Sequence, residues 1–212
     1  MEGRMRLTIL LVGAALVSEA GEQPKCPLPG EWELNVEISD EFDGPALDKA
    51  KWWDYAPHWP GRPGVYRTLA KNVSQKDGDL HLLTDKVSDA EIPYEARMDG
   101  MQGYTCALVK SRKKVMYGYF EARIKELAFC PSADYHTYGL LWTKDELVWY
   151  VDNVESARMT AVGCDHGGFK RPLHVVFDTE VNDWSGAKVS DIDATTLPAT
   201  AKVAWFRHWR RL

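Results

Sequence analysis

Between Tyr119 and Lys125 apolar and polar side chains alternate without a break. Phe120, Ala122 and Ile124 fall on one face of an extended chain, and Tyr119, Glu121, Arg123 and Lys125 fall on the other. A period of two does not fit a helix; it describes a strand with one buried face. Tyr138 to Trp142 and Leu147 to Val151 flank Thr143-Lys144-Asp145-Glu146, which reads as a hairpin, with Asp152-Asn153 as the next turn. Further strands are expected at Leu80 to Thr84, Thr105 to Ser111, Leu173 to Val181 and Lys202 to Trp209. No stretch beyond the N-terminal segment holds a sustained helical period. Many short strands punctuated by turns predict an all-β fold, an antiparallel two-sheet sandwich.

The first twenty residues are read separately. Arg4 and Arg6 precede an apolar run from Leu7 to Val17, and Ser18-Glu19-Ala20 puts small residues where a signal peptidase inspects them. Residues 1–20 are therefore expected to be a cleaved signal peptide on a secreted or periplasmic protein, with residues 21–212 as one domain. The run is about 11 residues long against the roughly 20 that span a bilayer, so no membrane association is expected after cleavage. Export would bring Cys26, Cys106, Cys130 and Cys164 into an oxidising compartment, where three full pairings are possible and sequence chooses none. Their spacing fits no zinc site. A net charge of −5 with mixed signs offers no field for nucleic acid. Nine Trp and nine Tyr fill a core or stack on sugar rings, and in an exported chain they favour a carbohydrate partner.

A succession of short motifs sharpens this expectation. Ser39-Asp40-Glu41-Phe42-Asp43-Gly44, Leu47-Asp48 and Lys51-Trp52 resemble the opening of glycoside hydrolase family 16, as does Asn72-Val73-Ser74 followed by Asp77-Gly78-Asp79-Leu80. Tyr117 to Lys125 resembles the strand that leads into that family's catalytic segment. His136 to Thr143, with Trp149-Tyr150-Val151-Asp152, resembles the hairpin that follows it. Pro57-His58-Trp59-Pro60-Gly61-Arg62, and Phe177-Asp178-Thr179-Glu180-Val181 followed by Trp184, look most like members acting on the red-algal galactans agar, porphyran and carrageenan. The resemblance implies a jelly-roll sandwich of the concanavalin A-like kind whose concave face is a sugar cleft. It implies that Trp59 stacks on a galactose ring and that Arg62 meets hydroxyl or sulfate oxygens at a cleft-edge loop. Asp178, Glu180 and Trp184 would complete a substrate-binding set. The implied partner is a sulfated or neutral galactan, bound by a monomer without a cofactor.

One departure bears on chemistry. The family's catalytic strand carries Glu-x-Asp-x-x-Glu, and a retaining glycosidase needs its two carboxyl groups about 5–5.5 Å apart on a rigid element. This chain contains no such string. Glu126 is joined to Asp134 by Leu127-Ala128-Phe129-Cys130-Pro131-Ser132-Ala133, where the family has a much longer segment, so no residue is assigned as catalytic and the sandwich is expected to be incomplete. Asp178 and Glu180 share a strand face with His174 and Val176, at roughly 6.5–7 Å spacing along the backbone, but they would approach the sugar from another part of the cleft. Glu91 and Glu95, near Pro93, read as solvated, and Glu121 and Glu126 as one strand charge and one loop charge. Many relatives hold a structural calcium through an Asp in the last strand, where this chain has Ala204, so no metal is expected. Three readings stay open: an inactive derivative of a galactan hydrolase, a non-catalytic carbohydrate-binding module, and a hydrolase with relocated carboxylates.

Overall fold

The computed structural model describes residues 23–55, 57, 61–62, 65–67, 69–101, 103–126, 134–161, 168–180 and 196–212, with backbone alone at 61–62, 65–67, 126 and 168. The proposed signal peptide, Cys130 and Cys164 lie outside these residues. The strands in chain order are β1 (Trp32–Leu34), β2 (Trp52–Trp53), β3 (Gly61–Arg62), β4 (Val65–Arg67), β5 (Val73–Lys76), β6 (Asp79–Lys86) and β7 (Tyr104–Cys106). They continue as β8 (Leu108–Ser111), β9 (Gly118–Glu126), β10 (His136–Trp142), β11 (Glu146–Val151), β12 (Val154–Thr160), β13 (Val176–Asp178) and β14 (Ala199–Arg211). The one α-helix among the described residues is the short Tyr94–Met98.

A large sheet runs β12-β11-β10-β9-β14-β6-β7-β4-β3, with β1 on β14 and β5 on β6, and a small sheet runs β13-β8-β2. All pairings are antiparallel except β4 with β7. The expected strand from Thr105 to Ser111 is broken at Ala107, where the chain leaves the large sheet as β7 and enters the small one as β8. The core lies between the sheets. Trp52, Val109 and Phe177 of the small sheet pack against Leu80, Ala122, Val203 and Phe206 of the large one, with Phe120 and Ile124 alongside. Trp52 is fully buried, stands edge-on to Phe206 at 5.9 Å, and donates its indole N–H to Asp40 Oδ2 at 2.8 Å.

The alternation in β9 places Phe120, Ala122 and Ile124 inward, but the opposite face is not open to solvent throughout. Tyr119 is fully buried and Glu121 is 4% exposed. Tyr150 packs edge-on to Tyr119, Trp209 donates its indole N–H to Glu121 Oε1 at 2.9 Å, and Cys26 is close enough to both to act on their charge. Glu121 is on a strand as read, but neighbours on the large sheet bury it, and Glu126, read as a loop charge, is the last residue of the same strand. Burial raises the Glu121 carboxyl above its usual range, partly offset by the Trp209 hydrogen bond and by Arg207.

The inner face of the other flank is partly exposed. Directly opposed residues of an antiparallel pair point to the same side. Ala122 faces Tyr138, Phe120 faces Leu140, Leu140 faces Trp149, and Tyr138 faces Val151. These residues, with Val154 opposite Val151 and Met159 opposite Leu147, share the core-facing side of β10, β11 and β12. Yet Tyr138 is 40% exposed, Trp149 37%, Val151 37%, Val154 68% and Met159 41%. Apolar inner-face residues in a sandwich are normally covered by the second sheet. Here the described small sheet stops at β13.

Candidate polysaccharide-binding face

The small sheet positions the candidate site through the same alternation. On β13, Phe177 packs inward against Trp52 and Phe206, with Val175 beside the core, while Val176 and Asp178 are exposed on the other side. Glu180, also exposed, lies two residues beyond the end of β13. Thr179 fixes the chain between these carboxylates. Its backbone N–H donates to the Ala107 carbonyl at 3.0 Å, and its hydroxyl accepts the Ala107 N–H at 3.0 Å. Asp178 and Glu180 are thus anchored at the point where the chain changes sheets. Glu91 closes a capping box with Ser88 and meets Lys71 Nζ at 2.9 Å, away from this face.

On β8, Val109 is in the core and Lys110 points away from it, opposite Val176 of β13 on one side and Trp53 of β2 on the other. Trp52 and Trp53 divide the same way, one inward and one outward. His174 Nδ1–H donates to the Ser111 carbonyl at 2.7 Å, because a carbonyl can only accept, and this leaves Nε2 as the open acceptor of the neutral ring. Burial lowers the His174 pKa, and Lys110 and Lys114 push it the same way against the pull of the Ser111 carbonyl. The outer face therefore carries Trp53, Lys110, His174, Val176 and Asp178.

Of the residues expected from sequence, Asp178 lies on this face and Glu180 follows it. Arg62 lies on β3, backbone-paired with Val65, and its side chain is outside what is described. Trp59 and Trp184 lie outside the described residues. Trp53, Lys110 and Arg112 were not singled out. Their signal was the adjacent pair Trp52-Trp53, of which a strand can bury only one on each face, and the basic run that begins at Lys110. Among the described residues no group of three or more His, Cys, Asp and Glu side chains could hold a metal ion. Ala204 occupies a bulge where the β14 register shifts between Val203 and Trp205. A separate 470 Å³ pocket at one end of the large sheet is lined by Trp32, Tyr117, Trp142, Glu146 and Arg211 among others, and contains none of the sequence candidates.

The family profile described as "Beta-porphyranase A-D, GH16 domain" matches residues 32–132, and the profile "Glycosyl hydrolases family 16" matches residues 125–207. Beta-porphyranase D of Zobellia galactanivorans is 31% identical over 170 residues, covering 67% of this chain and 39% of that protein. Kappa-carrageenase of Pseudoalteromonas carrageenovora is 30% identical over 166 residues, covering 72% of this chain and 40% of that protein. The chain thus spans about two fifths of the length of these curated relatives. The crystal structure of the beta-porphyranase BpGH16B from the human gut bacterium Bacteroides plebeius superposes with a TM-score of 0.69 at 20% identity, covering 88% of this chain and 94% of that one, and shares the fold. The nearly all-β two-sheet architecture, the two profiles and these relatives agree, and the chain belongs to glycoside hydrolase family 16, in its porphyranase- and carrageenase-like branch.

Proposed function

We propose that this chain is an exported, inactive derivative of a galactan hydrolase, which grips agar- or porphyran-type polymer and does not cut it. Trp59, Arg62, Asp178, Glu180 and Trp184 hold the polymer in this reading. The observation that carries it is the exposed apolar surface of Trp149, Val151, Val154 and Met159 on the inner face of β11 and β12, next to a junction without the Glu-x-Asp-x-x-Glu string. β9 and β10 are adjacent and antiparallel in the large sheet, and only seven residues separate Glu126 from Asp134. A longer segment at this point would supply strands to cover Trp149 and Val151. Two features of the comparisons support a break here. The porphyranase profile ends at residue 132 and the general family profile begins at 125, so they meet over the junction. The porphyranase D alignment runs over 170 residues yet takes in only 67% of this 212-residue chain, so the relative carries residues with no counterpart here.

Without a nucleophile and an acid/base on one rigid element, binding alone does not lower the barrier, because acceleration requires selectivity for the transition state. Enzymes lower such barriers by roughly 8–23 kcal/mol. The test pairs two measurements on the purified chain. Reducing-end assays on agarose, porphyran, carrageenan and mixed-linkage glucan should show no release, while affinity electrophoresis should show retardation in agarose or porphyran gels and less in a soluble cellulose gel. Release of reducing ends that disappears in Asp178→Asn or Glu180→Gln would overturn the reading in favour of relocated carboxylates.

A further inference from the structure

Trp32, Leu141 and Arg211, which line the 470 Å³ pocket at one end of the large sheet, point to the side away from the small sheet. Trp209 turns outward to Glu121, so Arg211, two residues on, turns the same way, and Trp32 is its directly opposed partner on β1. Leu141, opposite the outward Tyr119, follows. Tyr117 enters the pocket from a backbone position that bulky residues rarely hold, φ 61°, next to Gly118 at φ 115°. A Cβ at Gly118 would run into the Trp209 carbonyl. The buried His208 locks this bend: its Nε2–H donates to the Tyr117 carbonyl at 2.9 Å, and Asn35 Nδ2 donates to its Nδ1 at 3.1 Å. Backbone held against its preference in this way is typical of binding sites.

The walls decide the ligand. Trp32 Nε1–H is spent on the Pro29 carbonyl at 3.2 Å and Trp142 Nε1–H on the Phe169 carbonyl at 3.3 Å, so both indoles offer the pocket hydrocarbon surface alone. Tyr117 stands edge-on to Trp142 at 5.5 Å. The rim carries both signs: Lys144 pairs with Asp145, Arg158 pairs with Glu146, and Arg211 lies 5.9 Å from the Trp32 ring centroid with no carboxylate partner among the described residues. A cation would meet Arg211 and Lys144, an anion would meet Asp145 and Glu146, and a wholly apolar ligand would strip these groups of water without pairing them. A neutral pyranose fits, with C–H faces for the aromatic walls and hydroxyls that both donate and accept.

We propose that this pocket is a second saccharide site, for an uncharged pyranose, set back to back with the small-sheet face so that one chain bridges two polymer strands. The bridging rests on the galactan-binding reading above; the sugar in the pocket does not.

Isothermal titration of the full chain with an agarose-derived tetrasaccharide should show two sites. In Trp32→Ala, and in Arg211→Gln where the aromatic wall is kept, one site should weaken at least tenfold and the other stay within twofold. The turbidity that the wild type produces in dilute agarose should disappear in these variants, while retardation in an agarose gel persists. Arg210→Gln, which takes a charge from the ion pair with Glu33 on the other side of the same strand, should behave as wild type. An alginate tetrasaccharide, with a carboxylate on every ring, should show no binding that depends on Trp32. A wild type whose only site is untouched by either substitution would overturn the pocket and leave the galactan reading standing. Loss of all gel retardation in Trp32→Ala at an unchanged urea midpoint would overturn the bridging and the small-sheet face together. Trp32-dependent binding of the alginate fragment would overturn the uncharged ring, and no binding of tetrasaccharide or polymer would remove both readings.

Discussion

Ile124 and His136 stand directly opposite one another in the β9–β10 ladder, at the end of the pairing that flanks the junction between Glu126 and Asp134. His136 is held in place by Asp152, whose Oδ2 lies 2.6 Å from Nδ1 and whose Oδ1 accepts the Thr137 N–H at 2.8 Å. A relative's longer segment inserted at this junction is expected to leave the β9–β10 ladder intact. Grafting such a segment, with its Glu-x-Asp-x-x-Glu strand, between Glu126 and Asp134 is expected to yield reducing ends from a galactan on which the parent yields none. A stably folded graft without activity on any galactan would count against descent by loss of this segment.

The exposed flank predicts a solubility effect. Val154 and Met159 expose apolar surface on the inner side of an edge strand, and such surface promotes association. Val154→Thr/Met159→Lys is expected to reduce aggregation, read by light scattering during slow heating, while shifting the urea midpoint by less than about 0.5 kcal/mol equivalent, as for surface changes generally. A large loss of stability would show that these side chains are packed.

Sugar binding by Trp59 is tested by Trp59→Ala, which is expected to weaken galactan binding by about 1–3 kcal/mol, the scale of burying a large side chain. Retardation in the gel equal to that of wild type would take Trp59 out of the binding face.

Trp52 predicts a stability effect with a different signature. Trp52→Ala removes a fully buried ring that meets Phe42, Phe177 and Phe206 and orphans one oxygen of Asp40. A loss of about 3–5 kcal/mol is expected from urea unfolding. Trp52→Phe should cost less, because most of the core volume is kept. Equal costs for the two would place the stabilisation in the hydrogen bond to Asp40.

The large sheet was legible where alternation and turn chemistry agree. β9, β10 and β11 fall where the pattern put them, and Asp152 and Asn153 adopt φ of 48° and 64°, the left-handed pair that a tight hairpin turn requires and that these residue types tolerate. What local pattern could not show depends on partners distant in sequence. Tyr119 and Glu121 read as solvent-facing, but Tyr150 packs on the first and Trp209 hydrogen-bonds the second. The switch of sheets at Ala107 is marked by no turn residue; it is fixed by two hydrogen bonds exchanged with Thr179, one donated by each residue. At the candidate site, the exposure of Asp178 follows from the alternation through Phe177. The setting of Trp53 among Lys110, Arg112 and His174 becomes visible only once β2, β8 and β13 are paired.

The buried carboxyl of Glu121 makes stability depend on pH in a defined direction. In the unfolded chain it ionises near the ordinary Glu value of about 4.3. Folding takes it out of water on the large sheet and raises its pKa, with Glu41 adding to the rise and with Trp209 and Arg207 opposing it. The folded chain therefore holds this proton more tightly than the unfolded one. The stability it contributes is fully present below the unfolded pKa and is lost as pH rises through the folded pKa. Glu121→Gln removes the ionisation and keeps an oxygen to accept the Trp209 N–H. Arg207 does not depend on Glu121 for a partner, since it holds Glu41 through Nε at 2.9 Å and a terminal nitrogen at 2.8 Å. The expected outcome is that the variant and the wild type unfold at similar urea concentrations near pH 4, and that the variant becomes the more stable of the two as pH rises to 7. A difference that stays constant with pH, or one that favours the wild type at pH 7, would show that Arg207 and Trp209 stabilise the ionised carboxylate by more than burial costs it.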